Sequence, residues 1–241
     1  MAKKAVFVNM GFDPTATLEI ISATSLSSND LLVLVYPRTT DDISRLRNEQ
    51  ARTQIKNYVN ALKTTGRGIE LREIELELSD TSSDIDELLG ILMDLKRRGF
   101  YVYFELTGGV RAITVTMCLL SVWFPNLVDE LTYVIEVTRV RKSIPVISPA
   151  QLSSKTVLSV LSFLAEKRQA KRKDISEALD VSESRVSRIV SFLKKLGIVE
   201  ERLRVISLND RFAHYTPIFK NLKNILQSDE RILSNLQDKK D

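Results

Sequence analysis

Cysteine and histidine are nearly absent from this sequence, which has one of each among its 241 residues. Cys118 lies in an apolar run, so the chain has neither a disulfide framework nor a Cys-x-x-Cys metal motif, and we expect a reducing, cytoplasmic location. His214 is interpreted as a structural residue. Because no carboxylate pair or metal-ligand cluster stands out either, the sequence predicts no catalytic residue, no metal and no resident cofactor.

Long apolar runs are also missing. The most apolar segment, residues 112–124, is interrupted by two threonines and a serine, and a membrane span needs about 20 apolar residues. The first apolar run ends at Asn9 and has no small-residue cleavage pattern, so no export signal is evident. We therefore expect a soluble protein with no membrane partner.

Charge is distributed unevenly along the chain. Residues 1–151 hold 17 basic against 19 acidic residues, whereas residues 152–208 hold 12 basic against 7 acidic residues. A basic block attached to a slightly acidic larger part indicates that the smaller part meets a polyanion. A solvated basic face without a partner is the alternative.

Strand-like and helix-like patterns alternate over the first 148 residues. Residues 5–8 and 31–36 are continuous apolar runs typical of buried strands, whereas residues 84–98 have leucine and isoleucine at helical spacing. The alternation gives five strands separated by four helices, which predicts an α/β fold with a Rossmann-like, mostly parallel sheet. A last strand over 143–148 would end this domain, and we place the boundary between domains 1–148 and 149–241.

The second domain has the pattern of a winged helix-turn-helix. Two short helices are predicted over 173–180 and 184–196, with Ser182 as the N-cap of the second and Gly197 at its end. Residues 198–208 alternate like the hairpin of a wing, and a helical tail follows. The order of these features predicts an α+β DNA-binding domain.

The polar face of the second helix carries small hydroxyl side chains, which permit close approach to DNA, and arginines, which reach phosphates or guanine edges. Basic residues before the first helix and on the wing are candidates for phosphate contacts. The predicted DNA-binding residues are Lys171, Arg172, Lys173, Ser182, Ser184, Arg185, Ser187, Arg188, Lys195, Arg202 and Arg204. A solvated face on a purely structural helix bundle is the alternative.

Residues 105–114, ELTGGVRAIT, place two of the eight glycines at a junction of strand and helix. In an open parallel sheet, ligands bind beyond the C-terminal ends of the strands, where the strand order reverses. Gly108 and Gly109 permit a tight turn and close approach to a ligand, the first amides of the next helix point to that crevice, and Arg111 adds a cation. The turn is predicted to bind phosphate; a purely structural double-glycine turn is the alternative.

A second turn of this kind follows the first strand. Gly11 gives this turn conformational freedom, Phe12 is suited to stacking on a base, and Pro14 begins the following helix. Thr15 and Thr17 offer hydroxyl groups. Neither turn has the spacing of a dinucleotide-binding or P-loop motif, so those ligands are poor fits.

The GFDP turn at Gly11, the later ELTGGVR turn and the C-terminal winged helix-turn-helix together resemble the CRISPR-associated Rossmann-fold (CARF) transcription regulators of archaea. The resemblance covers nearly the whole chain, and its most specific part is TGGVRAIT. It implies a homodimer whose two CARF domains form one symmetric pocket for cyclic oligoadenylate, typically cyclic tetra-adenylate. The ligand-binding residues it implies are Gly11, Phe12, Asp13, Thr15, Thr17, Thr107, Gly108, Gly109 and Arg111.

These features together predict a dimeric, ligand-responsive transcription regulator that binds a palindromic promoter, rather than an enzyme. Some CARF domains also cleave their ligand, so a ring nuclease that uses its C-terminal module for assembly is the alternative from the enzyme class. A scaffold that binds neither ligand nor DNA is the third possibility.

Overall fold

The computed structural model describes residues 3–79, 81–135, 137–147, 152 and 154–221. The chain divides into two compact units, Met1–Ser148 and Pro149–Asp241. Within the described ranges, no helix combines the length and the hydrophobicity that a membrane span requires.

A six-stranded sheet forms the centre of the first unit. Its strands are β1 (Lys4–Asn9), β2 (Leu31–Pro37), β3 (Glu70–Leu76), β4 (Tyr101–Glu105), β5 (Glu130–Ile135) and β6 (Val140–Pro145). They lie in the order β3-β2-β1-β4-β5-β6, and every pair is parallel except the β5–β6 hairpin. This order confirms the predicted Rossmann-like sheet, and it reverses between β1 and β4. The strand predicted over 143–148 begins three residues earlier.

Four helices cover the two faces of this sheet: α1 (Thr15–Ala23), α2 (Asp42–Thr64), α3 (Thr81–Arg97) and α4 (Arg111–Trp123). Successive side chains of a strand point to opposite faces. Accordingly, Phe7 packs in a core with residues of α3 and α4, while Val6 and Val8 pack in a second core with residues of α1 and α2. The ends of β1 and β4 therefore lie between two helical layers.

The start of α3 differs from the prediction. The sequence pattern placed it at Asp84, but α3 begins at Thr81. The Asp84 carboxylate instead accepts hydrogen bonds from the backbone N–H groups of Glu77 and Leu78, at 2.8 and 2.9 Å. Asp84 thus stabilises the turn that leaves β3, a role that its capping propensity did not distinguish from helix initiation.

The second unit has the elements of a winged helix. They are α5 (Lys155–Lys167), β7 (Gln169–Lys171), α6 (Arg172–Leu179), α7 (Glu183–Lys195), β8 (Val199–Arg202) and β9 (Val205–Leu208). The strands form a small sheet in the order β7-β9-β8. The predicted wing hairpin is β8–β9, whereas the three-residue strand β7 was not predicted because it is too short to show a period.

The α6–α7 pair has the predicted helix-turn-helix arrangement. Val186, Ile189, Val190 and Leu193 form the buried stripe of α7. Asp180 ends α6 in the left-handed conformation, with φ of 51°. After β9, a 3-10 helix (Asp210–Tyr215) follows, and the predicted tail beyond residue 221 lies outside the described residues.

Candidate functional site

A crevice of about 310 Å³ opens at the C-terminal edge of the large sheet, where the strand order reverses. Its walls come from the turn after β1, the end of β2, α2 and the turn after β4. The residues that line it are Asn9, Met10, Gly11, Phe12, Asp13, Ala16, Thr17, Pro37, Asn48, Gly108, Gly109 and Val110. The two turns that the sequence singled out therefore lie side by side in one cavity.

Asn9, the last residue of β1, holds these two turns together. Its side-chain oxygen accepts a hydrogen bond from the Val110 N–H at 3.0 Å, and its Nδ2 donates to the carbonyl oxygens of Val110 and Gly108 at 2.9 and 3.2 Å. Nδ2 also lies 2.8 Å from Oγ1 of Thr114. One buried amide thus satisfies the backbone of the turn before α4.

The two adjacent glycines serve different purposes. A Cβ on Gly109 would lie 2.0 Å from Oδ1 of Asn9, so only glycine permits the Asn9 contacts. A Cβ on Gly108 would meet only Ala16, at 3.7 Å, but both glycines have positive φ, 75° and 69°. Gly11 packs against the same turn, because its Cβ would lie 3.3 Å from the backbone of Gly109.

The amide of Val110 is not available to a ligand, contrary to the expectation that all the first amides would point to the crevice. Asn9 accepts its hydrogen bond. Val110 is the N-cap of α4, and none of the described side chains caps the helix. The next amides, from Arg111 onward, have no acceptor within the helix because they belong to its first turn.

Six of the nine predicted ligand-binding residues line the crevice: Gly11, Phe12, Asp13, Thr17, Gly108 and Gly109. Three do not. Thr15 lines a separate open groove with Leu18 and Tyr58. Arg111, the first residue of α4, is exposed, and its guanidinium makes no hydrogen bond or ion pair within the described residues.

Thr107, the third of these, belongs to a polar network behind the crevice. Its hydroxyl donates to Oε1 of Glu105 at 2.5 Å and accepts from the Val134 N–H at 2.7 Å. The Glu105 side chain is fully buried, and its other oxygen lies 3.1 Å from Nε of Arg141 and 2.8 Å from Oγ1 of Thr132. Thr107 therefore fixes the end of β4 against β5 rather than facing a ligand.

Asp13 lies at the mouth of the crevice as an ionised group. Hydrogen bonds from the side chain and backbone N–H of Thr15 lower the pKa of the Asp13 carboxyl below its usual value. A carboxylate repels phosphate but accepts hydrogen bonds from sugar hydroxyls. Asp13 is thus suited to the ribose part of a nucleotide.

Sequence reasoning missed two polar residues of this site, Asn9 and Asn48. Asn9 sits at the end of an apolar strand, and a buried amide that ends a strand at a switch point is a signal that could have identified it. Asn48 lies in the middle of a polar helix, where one asparagine is not distinguishable from its neighbours. Its burial, with 4% of its surface exposed, appears only in the folded chain.

In the second unit, three of the predicted DNA-binding residues and the neighbouring Ser191 form one exposed face of α7. Ser184, Arg188, Ser191 and Lys195 are exposed and recur every three or four residues, opposite the buried stripe. Within the part of the chain that the structure describes, the charged ends of Arg188 and Lys195 have no partner. Ser182 is the N-cap residue, although its hydroxyl contacts that of Ser184, at 3.2 Å, rather than an amide.

Other predicted DNA contacts are engaged within the domain. Arg185 donates to Oγ1 of Thr156 on α5 at 2.8 Å. Arg172 forms an ion pair with Glu201 at 2.8 Å, and Lys194 reaches the same carboxylate at 3.1 Å. These two cations lower the pKa of Glu201, with the Lys194 hydrogen bond as the largest cause. Arg172 thus links α6 to the wing.

The remaining basic candidates lie near α6 and on the wing. Lys173 is exposed and pairs with Glu177 at 3.7 Å, and Arg202 pairs with Glu200 at 3.0 Å. The wing turn consists of Leu203 and Arg204, both with positive φ, as in a two-residue type I′ hairpin. Lys171 and Ser187 complete the predicted set; Lys171 is exposed and Ser187 is half-buried.

Metal-ligating side chains do not cluster in the part of either unit that the structure describes. Over the described residues, no group of three or more histidine, cysteine, aspartate or glutamate side chains is placed to hold a metal ion. A Rossmann-like domain with a crevice at its switch point, followed by a winged helix-turn-helix, is the domain arrangement of a DNA-binding regulator.

Family comparisons specify this class further. A model of the Csa3 CRISPR-associated Rossmann-like domain matches residues 4–145, and a model of the arsR family of bacterial regulatory proteins matches residues 154–201. The first match covers more than half of the chain, so the chain belongs to the Csa3 family. The CRISPR locus-related protein Csa3 of Saccharolobus solfataricus is 25% identical over 242 residues, which cover 95% of this chain and 94% of that protein.

Solved structures are similar to this chain at greater distance. Csm6 of Enterococcus italicus, bound to cyclic hexa-2′-fluoro-hexa-dAMP, has a TM-score of 0.47 and 16% identity over 80% of this chain. The chain covers 49% of Csm6, or about half its length. Can2 of Sulfobacillus thermosulfidooxidans, in complex with cyclic tetra-adenylate, has a TM-score of 0.37 and 12% identity over 97% of this chain and 68% of Can2. Likeness at this level does not assign a ligand.

Proposed function

We propose that this protein is a CRISPR-associated transcription regulator that binds a cyclic oligoadenylate with its CARF domain and promoter DNA with its winged helix. The crevice between the turns at Gly11 and Gly108 carries the proposal. It lies at the switch point of the sheet, where nucleotides bind in this fold, and the chain belongs to a CRISPR-associated family. Cyclic tetra-adenylate is the expected ligand.

The side of the crevice next to β4 suits phosphate. Gly108 and Gly109 present backbone without side chains, and the uncapped first turn of α4 contributes amides and the positive end of its dipole. Arg111 adds a guanidinium that no other described residue neutralises. Arg111 lies outside the cavity wall, so it approaches the phosphate from the rim.

The side next to β1 and β2 suits a base and its ribose. Phe12 is 45% exposed, which leaves a ring face free for stacking. Met10, Ala16 and Pro37 give this part of the wall an apolar surface. Asp13 is available to a sugar hydroxyl, and Thr17 adds a hydroxyl of its own.

A second copy of the chain completes the site. Val115, Leu119, Val122 and Trp123 lie on one face of α4 and are 57, 47, 49 and 75% exposed. The opposite face of α4 packs Ile113, Met117 and Leu120 into the core, so the helix carries apolar side chains on both faces, as in helices buried on both sides. Pairing of this face with its symmetry mate forms an isologous interface that begins one turn from Arg111.

The size of the crevice also favours a dimer. Its volume of about 310 Å³ is at the lower end of the range of roughly 300–1,000 Å³ for sites of drug-sized ligands. A ring of four nucleotides is larger than such a ligand. Two crevices brought together by α4 would each take one half of a two-fold symmetric ring.

Calorimetry with cyclic tri-, tetra- and hexa-adenylate tests ligand binding directly. Binding of a promoter fragment from CRISPR-associated genes is then measured with and without the ligand that binds. The proposal requires saturable binding of one ring and a change in DNA affinity when it is present. Linear adenylate products in the calorimeter cell would support the ring nuclease instead, and the absence of binding by any ring would overturn the ligand assignment.

A further inference from the structure

One polar atom of the crevice has no hydrogen-bond partner among the residues that the structure describes. Asn48 lines the cavity from α2 and is 4% exposed, and its Oδ1 makes no hydrogen bond to any described residue. About 90% or more of buried polar groups in proteins are hydrogen-bonded, and a buried acceptor without a partner destabilises the fold. An exception in the wall of a proposed binding site points to a group supplied by the ligand.

The chemistry of the missing partner follows from the orientation of the Asn48 amide. Its Nδ2 donates to the carbonyl oxygen of Pro37 at 3.3 Å. That oxygen can only accept, so the nitrogen must face Pro37 and the oxygen must face away from it. The ligand therefore has to present a donor to Asn48, not an acceptor.

We propose that Asn48 determines the base specificity of the site: its Oδ1 accepts a hydrogen bond from the exocyclic amine of an adenine. This inference rests on the proposed function, which supplies adenine as the base. Adenine carries a donor at position 6, whereas guanine and hypoxanthine carry an acceptor there. An acceptor on the protein thus favours adenine and repels the other two purines.

The position of Asn48 within the cavity agrees with this role. The glycine turn and Val110 bound one side of the crevice, and Pro37 and Asn48 bound the side of β2 and α2. A nucleotide whose phosphate contacts the glycine turn extends its base toward β2 and α2. There the apolar surface of Pro37 and Met10 excludes water and strengthens a single polar contact.

The experiment compares cyclic tetra-adenylate with the same ring in which hypoxanthine replaces adenine. Parent protein and Asn48→Leu, a substitution of similar volume, are titrated with both rings. We expect the parent to bind the adenine ring at least about tenfold more tightly, since one hydrogen bond lost with its partner left unpaired costs on the order of 1.4 kcal/mol. Asn48→Leu should bind both rings with nearly equal affinity.

Arg52→Leu is the matched control for a purely structural effect. Arg52 is one turn further along α2 and donates to the hydroxyl of Tyr36 at 2.8 Å, but it does not line the crevice. The Arg52→Leu substitution therefore loosens α2 from β2 without removing a contact to the base. Its preference for the adenine ring should remain that of the parent.

Several outcomes would overturn the inference. Equal affinity of the parent for both rings does so even if Asn48→Leu fails to fold, and so does an equal loss for both rings in Asn48→Leu, which indicates a structural role alone. A third titration uses a 2′-deoxyadenylate ring. If this ring binds the parent more weakly than the adenylate ring and Asn48→Leu removes that difference, the oxygen contacts the sugar and not the base. A parent that binds no adenylate ring refutes the proposed function itself, and this inference with it.

Discussion

The side chain of Asn9 forms two hydrogen bonds with the backbone of Val110, accepting from its N–H at 3.0 Å and donating to its carbonyl oxygen at 2.9 Å. These residues are 101 positions apart in the chain. The pair connects the end of β1 to the start of α4 through one accepted and one donated hydrogen bond, as residues of two adjacent strands do. The shape of the crevice therefore depends on one amide side chain.

Asn9→Asp should destabilise the CARF domain by about 2–4 kcal/mol at pH 7. The carboxylate can still accept from Val110, but it loses its donor to two carbonyl oxygens and faces them with a negative charge. Repulsion and burial raise the pKa of this carboxyl in the folded state, so its protonated form is favoured and the deficit shrinks as the pH falls toward 4. Urea unfolding at both pH values measures the effect.

The exposed Asn60 of α2 provides the control for this charge change. Asn60→Asp should alter the free energy of unfolding by less than about 0.5 kcal/mol. If the two variants unfold at the same urea concentration, the Asn9 bridge has no special importance.

Alanine substitutions at the two adjacent glycines should have unequal effects. Both residues have positive φ, which costs alanine about 1–2 kcal/mol. In Gly109→Ala, the new Cβ also meets Oδ1 of Asn9 at 2.0 Å, so we expect a loss above about 3 kcal/mol, whereas Gly108→Ala should lose only the conformational part. Chemical unfolding of both variants gives the comparison, and equal losses would contradict this assignment of the two glycines.

The strand and helix order of the CARF domain could be predicted from the sequence because its signals are local. Apolar runs such as residues 31–36 and helical spacing in residues 84–98 are read within one window. The contact between the two turns was partly predictable too, because parallel strands end at the same edge of a sheet. What joins the turns was not, since Asn9 and Val110 meet only through the sheet.

The ion-pair partners of long charged side chains could not be predicted from the sequence either. Arg172 and Arg188 look alike in a basic stretch, yet one pairs with Glu201 and the other has no partner in the described chain. Thr107 is another such case. Its place in the TGG turn suggested a ligand contact, but its hydroxyl donates a hydrogen bond to the buried Glu105. Tertiary neighbours decide each of these roles.

Leu119→Glu should convert the protein from a dimer to a monomer. Leu119 is near the centre of the exposed apolar face of α4, and a carboxylate there would be desolvated in a two-fold interface next to its own symmetry mate. The fold should persist because the position is 47% exposed. Light scattering at micromolar concentration measures the mass, and Met93→Glu, 53% exposed on α3, is the control. A monomeric parent would remove the basis of the shared pocket.

Arg111→Ala should weaken binding of cyclic tetra-adenylate roughly ten- to a hundredfold, the loss expected for a charged hydrogen-bond donor worth about 1.5–3 kcal/mol. The turn itself should stay intact, and DNA binding without ligand should hardly change. Calorimetry gives the affinities. Arg97→Ala, an exposed arginine at the C-terminal end of α3, is the matched control and should bind like the parent. Equal affinities for the parent and Arg111→Ala would show that this turn is not the sensor.

Arg188 and Arg172 should separate DNA recognition from domain stability. Arg188→Ala removes an exposed side chain with no partner in the described residues, so we expect a loss of about 1–3 kcal/mol in DNA affinity if it contacts a base edge, and an unchanged melting temperature. Arg172→Ala leaves the shielded carboxylate of Glu201 with Lys194 alone, so it should lower the melting temperature.

Fluorescence anisotropy with a labelled promoter fragment and thermal unfolding measure both quantities on both variants. Arg185→Ala adds an intermediate case, because its guanidinium must leave Thr156 before it can reach DNA. Its loss of affinity should therefore be smaller than that of Arg188→Ala. If Arg188→Ala binds the promoter as tightly as the parent while Arg172→Ala does not, the DNA-contacting surface lies at α6 and the wing, and the exposed face of α7 is only a solvated one.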